Sequence, residues 1–285
     1  MKQAYLICAH GSFNLLKKII IQLDDIDNDI YIHIDKKVGD IDYKSFENIT
    51  KYSTVVCLRN RVNVIWGHIS QMLVTIQMLE YALKNKKYDY FHLISGVDFP
   101  IKSNEYIKEF LCKHKGTEFV GFVPNTDFGY KLGLYHLIPY NLQKKFFLLS
   151  LLEKCCLKCQ ELLGIRHYKR FNNFGKGCNW WSITNKLAKD IIDNKHLFKK
   201  MYRYTLCADE IFLQTFLLQH KGKYKIYNES DEYLGCLRKI DWKRGNPYVW
   251  QIKDVEELLS SDALFARKFN EEHSDVVDEL IKKMK

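Results

Sequence analysis

The sequence predicts an α/β fold, a mainly parallel sheet with helices on both faces, and three observations predict it. Between Ala4 and Ser95, short apolar runs alternate with segments of helical period. Apolar residues make up 47% of the chain and aromatic residues 14%, the composition of a packed globule. Among 285 residues there are four prolines, fourteen glycines, no low-complexity linker and no internal repeat, so a single decorated domain is the simplest account.

The elements follow in order. "AYLICA" (Ala4–Ala9) is strand-like, and "SFNLLKKIIIQL" is a helix with Ser12 as its N-cap and Leu16, Ile19, Ile20 and Leu23 on one face. "DIYIHID" (Asp29–Asp35) and "STVVCL" (Ser53–Leu58) are strands. An amphipathic helix runs from Gly67 to about Asn85, with Ile69, Met72, Leu73, Ile76 and Leu83 aligned. "YDYFHLIS" (Tyr88–Ser95) is the next strand. The stretch 125–174 is less regular and holds the Leu/Phe/Cys-rich helix "KKFFLLSLLEKCCLKCQELLG". Regular structure resumes at "CNWWSIT" and continues through "YTLCADEIFLQTFLLQ" to the last helix, "SDVVDELIKKMK".

Ligands of open α/β sheets bind beyond the carboxyl ends of the strands. Those ends carry His10-Gly11-Ser12, Asp35 and Gly96-Val97-Asp98, so a nucleotide site is expected there. The glycines form neither GxGxxG nor a Walker loop, which leaves a dinucleotide or P-loop reading without support. Lys and Arg outnumber Asp and Glu by 44 to 34, a formal charge of +10 that favours an anionic partner. The basic residues are scattered and no nucleic-acid motif occurs, so nucleic acid is not the expected one. Nine cysteines, an odd number without a secretion signal, are expected to be buried free thiols in a cytoplasmic protein with no membrane anchor.

Asp209 and Glu210, at the front of "ADEIFLQTFLLQ", have two readings. Acids in a first helical turn are favoured by the helix dipole; a carboxylate aimed into a cleft could instead act as general base. The pairs Asp25/Asp27, Asp27/Asp29 and Asp40/Asp42 lie before a strand or in a polar loop, so no metal is expected. Cys156-x-x-Cys159 lacks a second ligand pair and reads as packing. Residues 144–163 are either packed or a basic amphipathic surface touching a membrane. Trp180, Trp181 and Trp242 are core residues or sugar platforms, and Arg267 and Lys268 of "ALFARKF" are solvated or neutralise a diphosphate.

The segments "AYLICAH", "IYIHIDKK", "VIWGHIS", "YFHLISGVDFPIKSN", "GCNWWSIT", "ADEIFLQT", "IDW…GNPY" and "ALFARKF" occur in this order from Ala4 to Phe269. Together they resemble the core-2/I-branching β-1,6-N-acetylglucosaminyltransferases, a family that includes the peptide O-xylosyltransferases. The resemblance implies a GT-A-like glycosyltransferase domain over 1–285. Within it, 1–124 would bind the nucleotide sugar, 125–175 would be a variable insertion and 176–285 would carry catalysis and the acceptor. It implies inverting, metal-independent transfer, without a cofactor, from a UDP-sugar to a glycan hydroxyl, with N-acetylglucosamine as the expected sugar and surface polysaccharide synthesis as the setting. Glu210 matches the family's catalytic base, and Cys8, His10 and Asp35 fall where the family contacts uridine. Asp98 lies in the donor-side loop. Trp242, with Trp181, is on the acceptor side, and Lys268 matches a lysine on the diphosphate. The family's diphosphate arginine has no clean match; Arg238, Arg244 and Arg267 are its candidates. The acceptor expected is an oligosaccharide or lipid-linked glycan, reached by a cytoplasmic enzyme in peripheral contact with the inner face of a membrane. Alternatives are a xylosyl- or glucuronosyltransferase on the same fold, and an inactive glycan- or nucleic-acid-binding protein.

Overall fold

The computed structural model describes residues 1–123, 129–165 and 173–284. Its strands are β1 (Gln3–Ala9), β2 (Asn28–Ile34), β3 (Thr54–Cys57), β4 (Tyr90–Ser95), β5 (Asp98–Pro100), β6 (Thr117–Val120), β7 (Trp181–Thr184), β8 (Lys225–Ile226), β9 (Arg238–Ile240) and β10 (Phe265–Arg267). Seven form the main sheet in the order β3-β2-β1-β4-β7-β6-β8, and β5-β10-β9 form a small second sheet. The main sheet is mainly parallel: β1 pairs with β2 and β4, β2 with β3, and β6 with β8 in parallel, while β7 runs antiparallel to β4 and β6. The fold is α/β, as the alternation predicts.

Side chains alternate across a strand, and here both faces of the sheet are covered. β1 sends Tyr5, Ile7 and Ala9 into one core and Ala4 and Leu6 into the other. β2 divides Ile30, Ile32 and Ile34 from Tyr31 in the same way. Helices Phe13–Gln22 and Ser274–Lys283 close the first core with the small sheet, and helices Ser70–Asn85, Asn185–Asp193 and Phe212–Gln219 close the second. Burial on both faces is why these strands read as continuous apolar runs. A polar thread crosses the buried interior: His92 bonds Ser182 at 2.7 Å and Gln3 at 3.0 Å, and Arg238 reaches Ser182 at 3.3 Å. Burial, with the nearby Arg238 charge, holds His92 well below the usual imidazole range, so it is a neutral core residue.

Several expectations are corrected. Ser12 precedes the first helix but does not cap it through its side chain, because its backbone is left-handed (φ 53°). The next long helix begins at Ser70, since Gly67 sits at φ +71°. Its buried stripe also takes in Val74, Met78, Leu79 and Ala82, while Leu73 and Leu83 are only partly buried. Of the nine free cysteines only Cys57, Cys207 and Cys236 are buried; Cys112, Cys155 and Cys159 are exposed. Asp27 and Asp29 flank the amino end of β2, where Lys108 holds Asp27 and Lys86 (2.8 Å) and Tyr88 (2.8 Å) hold Asp29.

The expected insertion contains helices Gly129–Gly133, Tyr140–Lys145 and Phe147–Leu162; its residues 125–128 and 166–172 lie outside the described residues. Among the described residues no helix is long and apolar enough to cross a membrane.

Candidate active site

A cleft of about 780 Å³ opens at the carboxyl ends of β1, β2 and β4, where the strand order reverses direction. Cys8, His10 and Asp35 line it, as do Glu210, Trp242 and Arg267. Asp35 is nearly buried; one carboxylate oxygen accepts from Lys37 N (2.9 Å) and the other lies 3.3 Å from Lys37 Nζ. Cys8 has its thiol pushed up to about 12 by burial, with Asp98 and Asp209 adding to it, so it lines the wall as a neutral group.

Glu210 reaches the cleft from a short 3-10 turn, Ala208–Glu210, and not from the helix itself, which begins at Phe212. Neither acid caps that helix, because Ile211 occupies the N-cap position. Two long-range supports place the turn. Cys207 is left-handed (φ 55°) and donates its N–H to Gly67 O at 2.8 Å; Gly177 N donates to Glu210 O at 3.0 Å. Gly177 has no room for a side chain: a Cβ there would stand 1.8 Å from Gly121 O. Gln214, one helical turn beyond Glu210, ties the same seam by donating to Gly121 O (3.2 Å) and Cys178 O (3.1 Å). The apolar run after "ADE" therefore anchors the turn.

The Glu210 carboxylate is partly exposed, and both lysines beside it meet one oxygen, Oε2: Lys131 at 3.1 Å and Lys176 at 3.6 Å. Asp209 has a different environment. It is buried, its Oδ1 has no partner among the described residues, and burial, then the neighbouring Glu210 charge, pushes it up to about 7. Two adjacent acids thus split into an accessible carboxylate and a buried one that is readily protonated.

Arg267 is an arginine of the same lining. Its Nη1 donates to Ser95 Oγ (2.7 Å) and Asp98 Oδ1 (2.8 Å), and its guanidinium lies 4.9 Å from the Trp180 ring centre. Asp98 is itself buried and also accepts from Ser95 N at 2.6 Å, so its part is to hold Arg267 and it does not line the cleft. The other candidate cations lie elsewhere. Arg238 is buried and donates to the carbonyls of Cys236, Leu93 and Trp181. Arg244 is tied to Asp241, Asp254 (3.0 Å) and Glu257 (3.0 Å). Lys268 is half-buried and outside the cleft lining. Trp181 is likewise corrected: it is 1% exposed and packs in the second core, whereas its neighbour Trp180 lines the cleft. Trp242 is 51% exposed at the cleft rim.

Four further residues stand at the cleft or beside Glu210 without having been singled out from the sequence: Lys131, Lys176, Tyr233 and Trp66. Trp66 is 59% exposed and lines the cleft; its place in the segment "VIWGHIS" was the available signal. His33, also in the lining, accepts Val62 N–H at 2.8 Å, and burial lowers it to about 4, so it is neutral. Taken as a whole, the cleft offers an accessible carboxylate, an arginine fixed by Ser95 and Asp98, and exposed aromatic faces. That set can accept a proton, hold an anion and stack on a sugar ring.

The family model described as Core-2/I-Branching enzyme matches residues 3–261. Among curated proteins, the chain is 23% identical over 298 residues to a xylosyltransferase of Ciona intestinalis, covering 97% of this chain and 33% of that protein. It is 23% identical over 300 residues to xylosyltransferase 2 of Rattus norvegicus, covering 96% and 33%. The chain thus spans about a third of the length of these relatives. A solved structure, apo mouse xyloside xylosyltransferase 1, aligns over 95% of this chain and 98% of that one with 8% identity and a TM-score of 0.41.

Proposed function

The chain belongs to the Core-2/I-Branching enzyme family, and from that premise we propose that it is an inverting glycosyltransferase using a UDP-sugar donor. The observation that carries the reading is that Glu210 and Arg267 line one cleft at the strand ends. In this reading uridine lies along Cys8, His10 and Asp35, and the diphosphate faces Arg267. Glu210 takes the proton from an acceptor hydroxyl as its oxygen attacks the anomeric carbon. The bond from that carbon to the diphosphate oxygen breaks, UDP leaves with the electron pair, and an α-linked donor becomes a β-glycoside. General-base assistance of this kind supplies roughly a hundredfold to ten-thousandfold in rate. Arg267 supplies fixed positive charge where the leaving group gains negative charge, which supports transfer without a metal ion. Trp242 and Trp180 offer flat faces to the acceptor.

The donor proposed is UDP-N-acetylglucosamine, with a β-1,6 linkage to a glycan hydroxyl. The names of the curated relatives favour UDP-xylose as the second reading. UDP release measured with UDP-N-acetylglucosamine, UDP-xylose and UDP-glucuronic acid, in excess EDTA, decides both points. Turnover with the first supports the proposal. Turnover with xylose alone replaces the donor, and activity abolished by EDTA and restored by manganese overturns metal independence.

A further inference from the structure

The helix Phe147–Leu162 buries two polar side chains and exposes a row of apolar ones. Its inward residues include polar Glu153 and Gln160, both buried. Glu153 Oε2 accepts Ile138 N–H at 3.0 Å, and Gln160 bonds the Tyr135 N–H at 2.7 Å and its carbonyl at 3.0 Å, so these two residues fasten the preceding loop. The outward stripe, at spacings of three and four, is Leu148, Leu151, Leu152, Cys155, Cys159 and Leu162. Phe147 is 79% exposed, Leu148 76% and Leu162 77%. A soluble surface seldom shows so many large apolar side chains together unless something covers them.

The charges around the stripe indicate what covers it. Lys144, Lys145, Lys154 and Lys158 are exposed on the same two helices, against two acids: the buried Glu153 and the exposed Glu161, which pairs with Lys158 at 3.1 Å and leaves the other three lysines in excess. A second copy docking through this face would bring two lysine clusters together, since a two-fold interface meets itself. We infer that this face docks on an anionic lipid surface, with the leucine stripe in the headgroup region and the lysines on lipid phosphates.

The geometry links this face to the cleft. Tyr140, which opens the helix Tyr140–Lys145, packs on Trp66 with ring centres 4.8 Å apart, and Trp66 lines the cleft. The same helices wall a second hollow of about 1130 Å³, whose lining includes Lys154, Lys199, Lys200 and Arg203. Docking therefore holds the cleft beside the bilayer, where a membrane-borne acceptor is concentrated; that consequence alone rests on the transfer reading above.

Co-sedimentation of the full chain with phosphatidylcholine vesicles, with and without phosphatidylglycerol, tests the inference. The chain is expected to pellet with the anionic vesicles, and less at high salt. Leu148→Glu/Leu151→Glu should lower that partition by about tenfold or more, with UDP affinity and monomeric elution unchanged. Lys144→Glu/Lys145→Glu should weaken binding to anionic vesicles selectively. No partition of the unaltered chain at low salt overturns the inference. So does a concentration-dependent dimer that Leu148→Glu/Leu151→Glu dissolves, which makes a second copy the occupant. UDP affinity, read in parallel, shows separately whether the donor site stands.

Discussion

Arg267 Nη1 lies 2.8 Å from Asp98 Oδ1, an ion pair that ties the last strand of the small sheet to the first residue of β5. Asp98 is 1% exposed, so the pair has one buried member and one member at the cleft. The carboxylate sets where the guanidinium stands, and the arginine supplies the charge.

Replacing either partner separates the two roles. Arg267→Lys keeps the charge but loses the forked geometry, and UDP affinity should fall about tenfold, on the order of 1.4 kcal/mol. Asp98→Asn leaves Arg267 in place but less constrained, and should lower UDP affinity by a smaller factor. Calorimetric titration with UDP checks both. Unchanged affinity in Arg267→Lys would remove it from the donor site.

Arg238 gives the opposite expectation. Its buried guanidinium satisfies the carbonyls of Cys236, Leu93 and Trp181. Arg238→Met strands those acceptors and should cost about 3 kcal/mol or more of stability. UDP affinity of the folded protein should be unchanged. Thermal unfolding and UDP titration of the same sample test this, and a selective loss of UDP binding would return Arg238 to the donor site.

Asp209 makes stability depend on pH. Its folded value, about 7, stands above the ordinary 3.8, so between those values the native state holds more protons than the unfolded chain. Stability is then fullest below about pH 4 as far as this group is concerned, falls as pH rises, and levels off above about 7. Glu118, pushed up to about 7 by burial, acts in the same direction. Asp209→Asn should flatten part of that decline and leave the share due to Glu118. Denaturant unfolding from pH 4 to 8 reads it; an unaltered slope would contradict the assignment.

Gly177→Ala tests the seam that carries Glu210. With Gly121 O only 1.8 Å from the added Cβ, the loop must move. A loss of more than roughly 3 kcal/mol is expected, together with lost transfer activity in whatever remains folded. An active variant of ordinary stability would show that the seam does not position the turn.

The sheet was legible in the sequence because its central strands are covered on both faces and so read as apolar runs. The strand ends were legible for the same reason, and Cys8, His10 and Asp35 line the cleft found there. What was not legible depends on long-range contact. Trp180 and Trp181 differ by one position, and only the register of β7 against β4, which pairs Trp181 with Leu93, sends one to the cleft and the other to the core. Arg238 and Arg267 look alike in sequence; the first is drawn inward by three carbonyls, and the second is fixed at the cleft by Ser95 and Asp98. Lys131 lies 79 positions from Glu210, too far for any local pattern to pair them. The helix Phe147–Leu162 reads as amphipathic, but two of its polar residues, Glu153 and Gln160, face inward because they serve the neighbouring backbone.

Glu210→Gln, assayed for sugar transfer and for UDP binding in the same preparation, tests the role of the carboxylate as base. Transfer should fall by roughly a hundredfold to ten-thousandfold, with UDP affinity and thermal stability close to those of the unaltered protein. Transfer at or near the unaltered rate would contradict that role.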